Sequence, residues 1–272
     1  MSNTRFTLTS MLVMLAAGIL WVGVAAADDD LGTRAIEVSQ AARGNTVNDM
    51  ELIDVRGQTH RLQDFFGKPL VISLIYTSCS HSCSTTTHHI NRVVQVTRDA
   101  LGDESFTFLS IGFNYPADTP EAMAHYARRH GVTDPNWHFM SSRKPEELKQ
   151  LMQDLGFIYQ PSPRGLDHTV QVTVIDQDAR VYRQVYGETF STPLLVEPMK
   201  DLVLGRPQPD DSALTVLSNR VRLFCTSYDP KADRYYFDYS LFVGIAIGII
   251  VLGTTMVWMG VELFRRRRGQ AV

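Results

Sequence analysis

The run Leu70-Val71-Ile72-Ser73-Leu74-Ile75-Tyr76 is apolar at nearly every position, and Cys79 and Cys83 follow it within seven residues. A strand without in-out alternation is apolar on both faces, so it predicts a sheet covered on both sides. Two soft sulfurs four residues apart at the end of such a strand predict redox or metal chemistry. The chain has only three cysteines, too few for a disulfide scaffold.

The two ends place that chemistry. Met11 to Ala27 is almost wholly apolar, follows Arg5, and closes in Ala25-Ala26-Ala27 before Asp28-Asp29-Asp30. This predicts an export signal over residues 1–27, either cleaved or kept as an N-terminal anchor. Leu241 to Val261 holds 21 residues without a charge, about the length that crosses a hydrocarbon core. Arg265 to Arg268 follow at once, and Tyr235, Tyr236 and Tyr239 stand where an aromatic belt would sit. The sequence therefore predicts a membrane helix over 239–264, a cytoplasmic tail over 265–272, and a body facing the periplasm or cell exterior from the inner membrane. The orientation is the same whether or not the first segment is cut.

Setting aside Arg5 and the tail arginines leaves 21 Lys or Arg in residues 28–238, and setting aside Glu262 leaves 28 Asp or Glu, a net charge of −7. Such a surface does not favour nucleic acid. Regular apolar patterning occupies residues 48–211, enough for one buried domain. Residues 28–47 are weakly patterned and read as a linker, and 212–238 as a juxtamembrane segment carrying Cys225.

Within the domain, Met50 to Leu62 predicts a short hairpin turning at Asp54-Val55-Arg56-Gly57. After the strand Leu70 to Tyr76, Ile90, Val93, Val94, Thr97 and Leu101 recur at helical spacing. Phe106 to Phe113 predicts a strand, Thr119 to His130 a helix opened by Thr119-Pro120-Glu121, Trp137 to Met140 a strand, and Pro145 to Leu155 a helix. Gly156 to Asp167 reads as a loop with His168 at its end. Strands from Thr169 to Ile175 and Val181 to Tyr186 form a hairpin, and Leu194 to Leu204 the last helix. This order describes a thioredoxin-like α/β sandwich, helices on both faces of the sheet, with inserted elements.

Continuing the Ile90 helix back at about 100° per residue brings Cys83 and Cys79 onto its inward stripe, with His81 opposite. Their Cα atoms would lie about 6 Å apart, within the roughly 4.4–6.8 Å of a disulfide. Both thiolates would equally reach one metal ion, and a helix N-terminus favours the thiolate form. Thiolates select Cu(I) or Zn(II), and two sulfurs leave Cu(I) short of a third ligand. His168, in the loop returning to the cysteine end of the sheet, is the candidate. The plainer readings are a structural disulfide or buried apolar thiols for the pair, and an ordinary surface or core residue for His168. His81, His88 and His89 read as solvated, and Met123, Met140 and Met152 as core filler.

From Asp64 to Gly187 the chain resembles the Sco/SenC family of copper-handling, thioredoxin-like proteins. The matching pieces are Gly67-Lys68-Pro69-Leu70, Tyr76-Thr77-Ser78-Cys79 with Cys83, Asp118-Thr119-Pro120-Glu121, and Asp167-His168-Thr169 with Ile175-Asp176. The resemblance implies copper bound by Cys79, Cys83 and His168, and a role in building the dinuclear CuA centre of cytochrome c oxidase. The implied partners are the CuA-bearing subunit and an upstream copper donor. The chain departs from the family pattern where Ser80 and Ser84 replace a proline after each cysteine, His81 replaces an aspartate between them, and Asn114 replaces an acid. These changes bear on loop rigidity, redox poise and partner choice. Cys225, in Leu223 to Pro230, resembles a segment of C-terminally anchored members, where a free thiol would accept copper or close a mixed disulfide, or lie idle.

Three functions follow. The first is a membrane-anchored copper metallochaperone using Cu(I), with Cu(II) binding left open. The second is a thiol-disulfide oxidoreductase in which Cys79 attacks and Cys83 resolves. The third, ranked last, is a peroxidase acting through an exposed thiolate.

Overall fold

The computed structural model describes residues 29–79, 82–163, 165–205, 226–229, 232 and 234–269. The N-terminal signal or anchor, His81 and Cys225 lie outside them.

Seven strands form one mixed sheet: β1 (Glu51–Asp54), β2 (Thr59–Arg61), β3 (Leu70–Ile75), β4 (Thr107–Gly112), β5 (Trp137–Ser141), β8 (Gln171–Ile175) and β9 (Val181–Tyr186). Their order is β2-β1-β5-β4-β3-β8-β9. β3, β4 and β5 are parallel, as strands joined by helical crossovers must be, and β8 and β9 return antiparallel on one side. Every residue of β3 and β4 is buried, so both faces of the sheet centre are covered. The helices α2 (Ser82–Leu101), α3 (Pro120–Arg129), α4 (Pro145–Asp154) and α5 (Pro193–Leu204) do the covering; α2 and α5 meet, and α3 packs on β5. This is a thioredoxin-like α/β fold.

Local chemistry sets the boundaries. Asp54 caps the first hairpin, its Oδ1 accepting from the backbone of Arg56 and Gln58 at 2.9 and 2.8 Å. α3 starts on Thr119, whose Oγ1 accepts the Ala122 N–H at 3.2 Å, with Pro120 in the first turn. Inside the core, Arg98 pairs with Asp134 at 3.0 Å and donates to the Phe106 carbonyl at 2.7 Å, so the buried charge is matched.

The structure differs from the sequence expectation at several places. The expected linker over 28–47 contains a helix, α1 (Asp29–Ala41). It buries Ala35 and Ser39, with Ala42 buried just past its end, and Tyr186 donates its hydroxyl to Ser39 Oγ at 2.9 Å. Gly156, at φ +63°, permits the approach, since a Cβ there would stand 2.6 Å from the Val38 carbonyl oxygen. The inward face is made of small residues, so it carries no apolar signal. The expected loop Gly156 to Asp167 holds a two-stranded ribbon, β6 (Tyr159–Ser162) with β7 (Gly165–His168), pairing Tyr159 with His168. Pro161 and Pro163 hide it, because prolines are tolerated in short outer ribbons and not in central strands. Finally, β10 (Thr226–Asp229) and β11 (Arg234–Phe237) form a hairpin within the span 212–238, where no element was expected, tied to α5 by the Tyr235 hydroxyl donating to Glu197 at 2.8 Å.

The last helix, α6 (Ser240–Gly269), runs past the expected end at 264. Over Phe242–Gly260 it is long and apolar enough to cross a membrane, and its apolar side chains are exposed.

Candidate functional site

β3 ends at Ile75, and the chain turns through Thr77 and Ser78 into Cys79, whose N–H donates to the Tyr76 carbonyl at 3.2 Å. α2 begins at Ser82, so Cys79 precedes the helix instead of riding on it as the extrapolated spacing had it. The two sulfurs are still brought together. Cys79 Sγ accepts the Cys83 N–H at 3.3 Å and lies 3.5 Å from Ser82 Oγ, the position of a cap at the helix start. Both side chains are buried, and the two are not linked by a disulfide.

Their surroundings reverse one expectation. The hydrogen bond to Cys79, then burial, push the Cys83 thiol well above its ordinary range, so the helix N-terminus does not leave it a thiolate. Tyr76 adds a donor: burial first, then its hydrogen bond to the Cys79 sulfur, raise its hydroxyl to about 12, which keeps the proton on oxygen. Gly165 makes room for that hydroxyl, since a Cβ there would stand 3.0 Å from it.

The turn is fixed from behind by Asp118. Its buried carboxylate accepts the Thr77 N–H at 2.8 Å, the Thr77 hydroxyl at 2.7 Å and the Asn114 N–H at 2.8 Å. Burial raises its pKa while these bonds oppose the rise. Asn114 contributes its backbone here, which does not depend on the side chain at that position. On the helix side, Tyr126 donates to the Cys83 carbonyl at 2.9 Å and lies 2.7 Å from the Thr87 hydroxyl. The sequence motif contained Asp118 and Tyr76 without revealing their roles, and Tyr126 carried no sequence signal.

His168 closes β7 within an aromatic surround, its ring 5.4 Å from Phe113 and from Phe157 and 5.9 Å from Tyr76, centroid to centroid. Nδ1 lies 3.1 Å from the Thr169 carbonyl, which only an N–H can satisfy. We assign the Nδ1–H tautomer on that bond, leaving the Nε2 lone pair for a ligand. Cys83 and His168 line one cavity of about 10 Å³, the size of a single water.

Burial holds the His168 pKa below the ordinary 6.5, against the raising effects of Thr169 and Cys79. The unfolded chain therefore takes up a proton before the folded one, and stability falls as pH drops through that window. Chemical denaturation of the metal-free protein at about pH 7.5 and about pH 5.5 should show this loss, and His168→Gln should show less of it. Equal losses would assign the effect to His130 and His138, which burial also lowers.

Among the described residues, no three His, Cys, Asp or Glu side chains are gathered closely enough to hold an ion. The structure thus sets Cys79 beside Cys83 and His168 against the cavity that Cys83 lines, without assembling the trio. His88 is exposed as expected. His89 is not: it is buried, with Nε2 accepting the Phe190 N–H at 3.2 Å and its ring 4.6 Å from Phe190. Met123 and Met140 are core residues and Met152 packs against the core.

The SCO1/SenC family model matches residues 38–203, well over half of the chain. The chain belongs to the SCO1/SenC family. The matched span runs from within α1 to α5 and includes Cys79, Cys83 and His168, while β10, β11 and α6 lie beyond it. A protein of Aquifex aeolicus VF5 is similar in structure, at 23% identity over 62% of this chain and 98% of its own, with TM-score 0.55. BsSco, a member of the Sco family of cytochrome c oxidase assembly proteins in which a disulfide switch was identified, is similar at 15% identity over 59% and 94%, with TM-score 0.52. Bradyrhizobium japonicum ScoI with copper bound is similar at 21% identity over 58% and 99%, with TM-score 0.49. No curated protein matches the chain.

Proposed function

We propose that this SCO1/SenC protein is a membrane-anchored copper metallochaperone that takes Cu(I) from an upstream donor and delivers it to the CuA-bearing subunit of cytochrome c oxidase. Cys79 and Cys83 bind the ion as thiolates and His168 binds through Nε2. The observation that carries this reading is two buried cysteines held side by side, Cys79 Sγ accepting the Cys83 N–H, with Cys83 lining one cavity together with an imidazole whose Nδ1 is already engaged. Soft sulfur with imidazole suits Cu(I).

α6 serves as the anchor, with the body in the periplasm or cell exterior and the Arg265 to Arg268 end in the cytoplasm. Tethering a donor beside a membrane-bound acceptor raises its effective concentration. The competing reading, a thiol-disulfide oxidoreductase acting on the oxidase subunit, is favoured by the contact between the two sulfurs. Complementation of a deletion strain separates the two. His168→Ala should fail to restore oxidase activity while leaving the reduction potential of the cysteine pair unchanged. Full rescue by His168→Ala, with failure of Cys79→Ser, would favour the redox role.

A further inference from the structure

Two buried side-chain polar atoms among the described residues lack a hydrogen-bond partner, Thr86 Oγ1 and His130 Nε2. Thr86 is only 5% exposed, sits one helical turn after Cys83 on α2, and lines the cavity that Cys83 and His168 share. Residues three apart on a helix are neighbours on its surface. A helical threonine ordinarily gives its hydroxyl to the carbonyl one turn back, as Thr97 does to Val93 at 2.7 Å in this same helix. Thr86 forgoes that bond. On the same cavity wall Gln171 donates to the Leu155 carbonyl at 3.0 Å, and His168 Nδ1 is held by Thr169.

A buried hydroxyl without an acceptor destabilises the fold. We propose that Thr86 is a positioning residue for copper binding, whose hydroxyl finds its acceptor in the Cys83 sulfur only when that sulfur holds the cation. The inference rests on the copper reading above. A neutral thiol is a weak acceptor and a thiolate a strong one. As Cu(I) replaces the two thiol protons, which pass to the buffer, the Thr86 O–H gains its partner. The same group thus opposes the empty state and favours the loaded one.

Thr86→Val keeps shape and removes the hydroxyl, and Thr86→Ser keeps the hydroxyl. The full-length protein in detergent is titrated anaerobically with Cu(I) against a chromophoric chelator, and its metal-free melting is followed in parallel. Thr86→Val should raise the metal-free Tm by about 2–4 °C and weaken Cu(I) binding about tenfold. Thr86→Ser should bind as the wild type does. A Tm that falls in Thr86→Val, or an affinity within about twofold of wild type, overturns the inference. Wild-type protein that takes up no Cu(I) would overturn the copper reading and this inference with it, whereas wild-type binding unaltered in Thr86→Val removes this inference alone.

Discussion

Replacing both Cys79 and Cys83 by serine should lower Cu(I) affinity on the order of a thousandfold or more, since thiolate ligands supply most of the binding free energy at such a site. The fold should survive. The sulfur of Cys79 accepts an N–H from the start of α2, and a serine hydroxyl can accept the same bond. Cys83 holds its neighbours through its backbone carbonyl, which Tyr126 reaches in any variant. Chelator competition with melting measured alongside therefore separates lost ligands from lost structure. A double variant that still binds one equivalent tightly would move the site away from α2.

Asp118→Ala is expected to have the largest effect on stability, about 3–5 kcal/mol, because one buried carboxylate serves three donors. The melting temperature should fall by about 10 °C. Cu(I) affinity should fall with it, by about 10–100-fold, as the Thr77 turn that aims Cys79 loses its anchor. Asp118→Asn keeps one acceptor oxygen and should recover part of both. Gly112 offers a second route to the same carboxylate: a Cβ there would stand 2.5 Å from Asp118 Cβ, so Gly112→Ala should displace it. A Tm change under about 2 °C in Asp118→Ala would show that the turn is held by its own backbone.

What the sequence disclosed, and what it did not, follows from the range of the interactions. β3, β4 and α2 announce themselves because burial on both faces demands unbroken apolar runs and packing on a sheet demands a helical stripe. The cysteine pair is legible from its spacing. α1 is hidden because it docks through Ala35, Ser39 and, just past its end, Ala42, and the β6–β7 ribbon because prolines interrupt it. His89 is buried by Phe190, 101 residues further on, and no local pattern encodes that contact. The Cys83 expectation failed for a related reason. A helix N-terminus and a nearby second cysteine are visible in sequence, whereas the hydrogen bond between the two and the closed core, which outweigh the helix end, are visible only once the chain is folded. His168 is reached by topology alone, and its neutral, oriented ring depends on Thr169 and three aromatics from separate elements.

Copper X-ray absorption on the anaerobically loaded full-length protein tests the central claim most directly. The account predicts one copper held by two sulfurs and one imidazole nitrogen, with the nitrogen lost in His168→Ala and both sulfurs lost in the double serine variant. A first shell of two sulfurs alone, unchanged in His168→Ala, would contradict it.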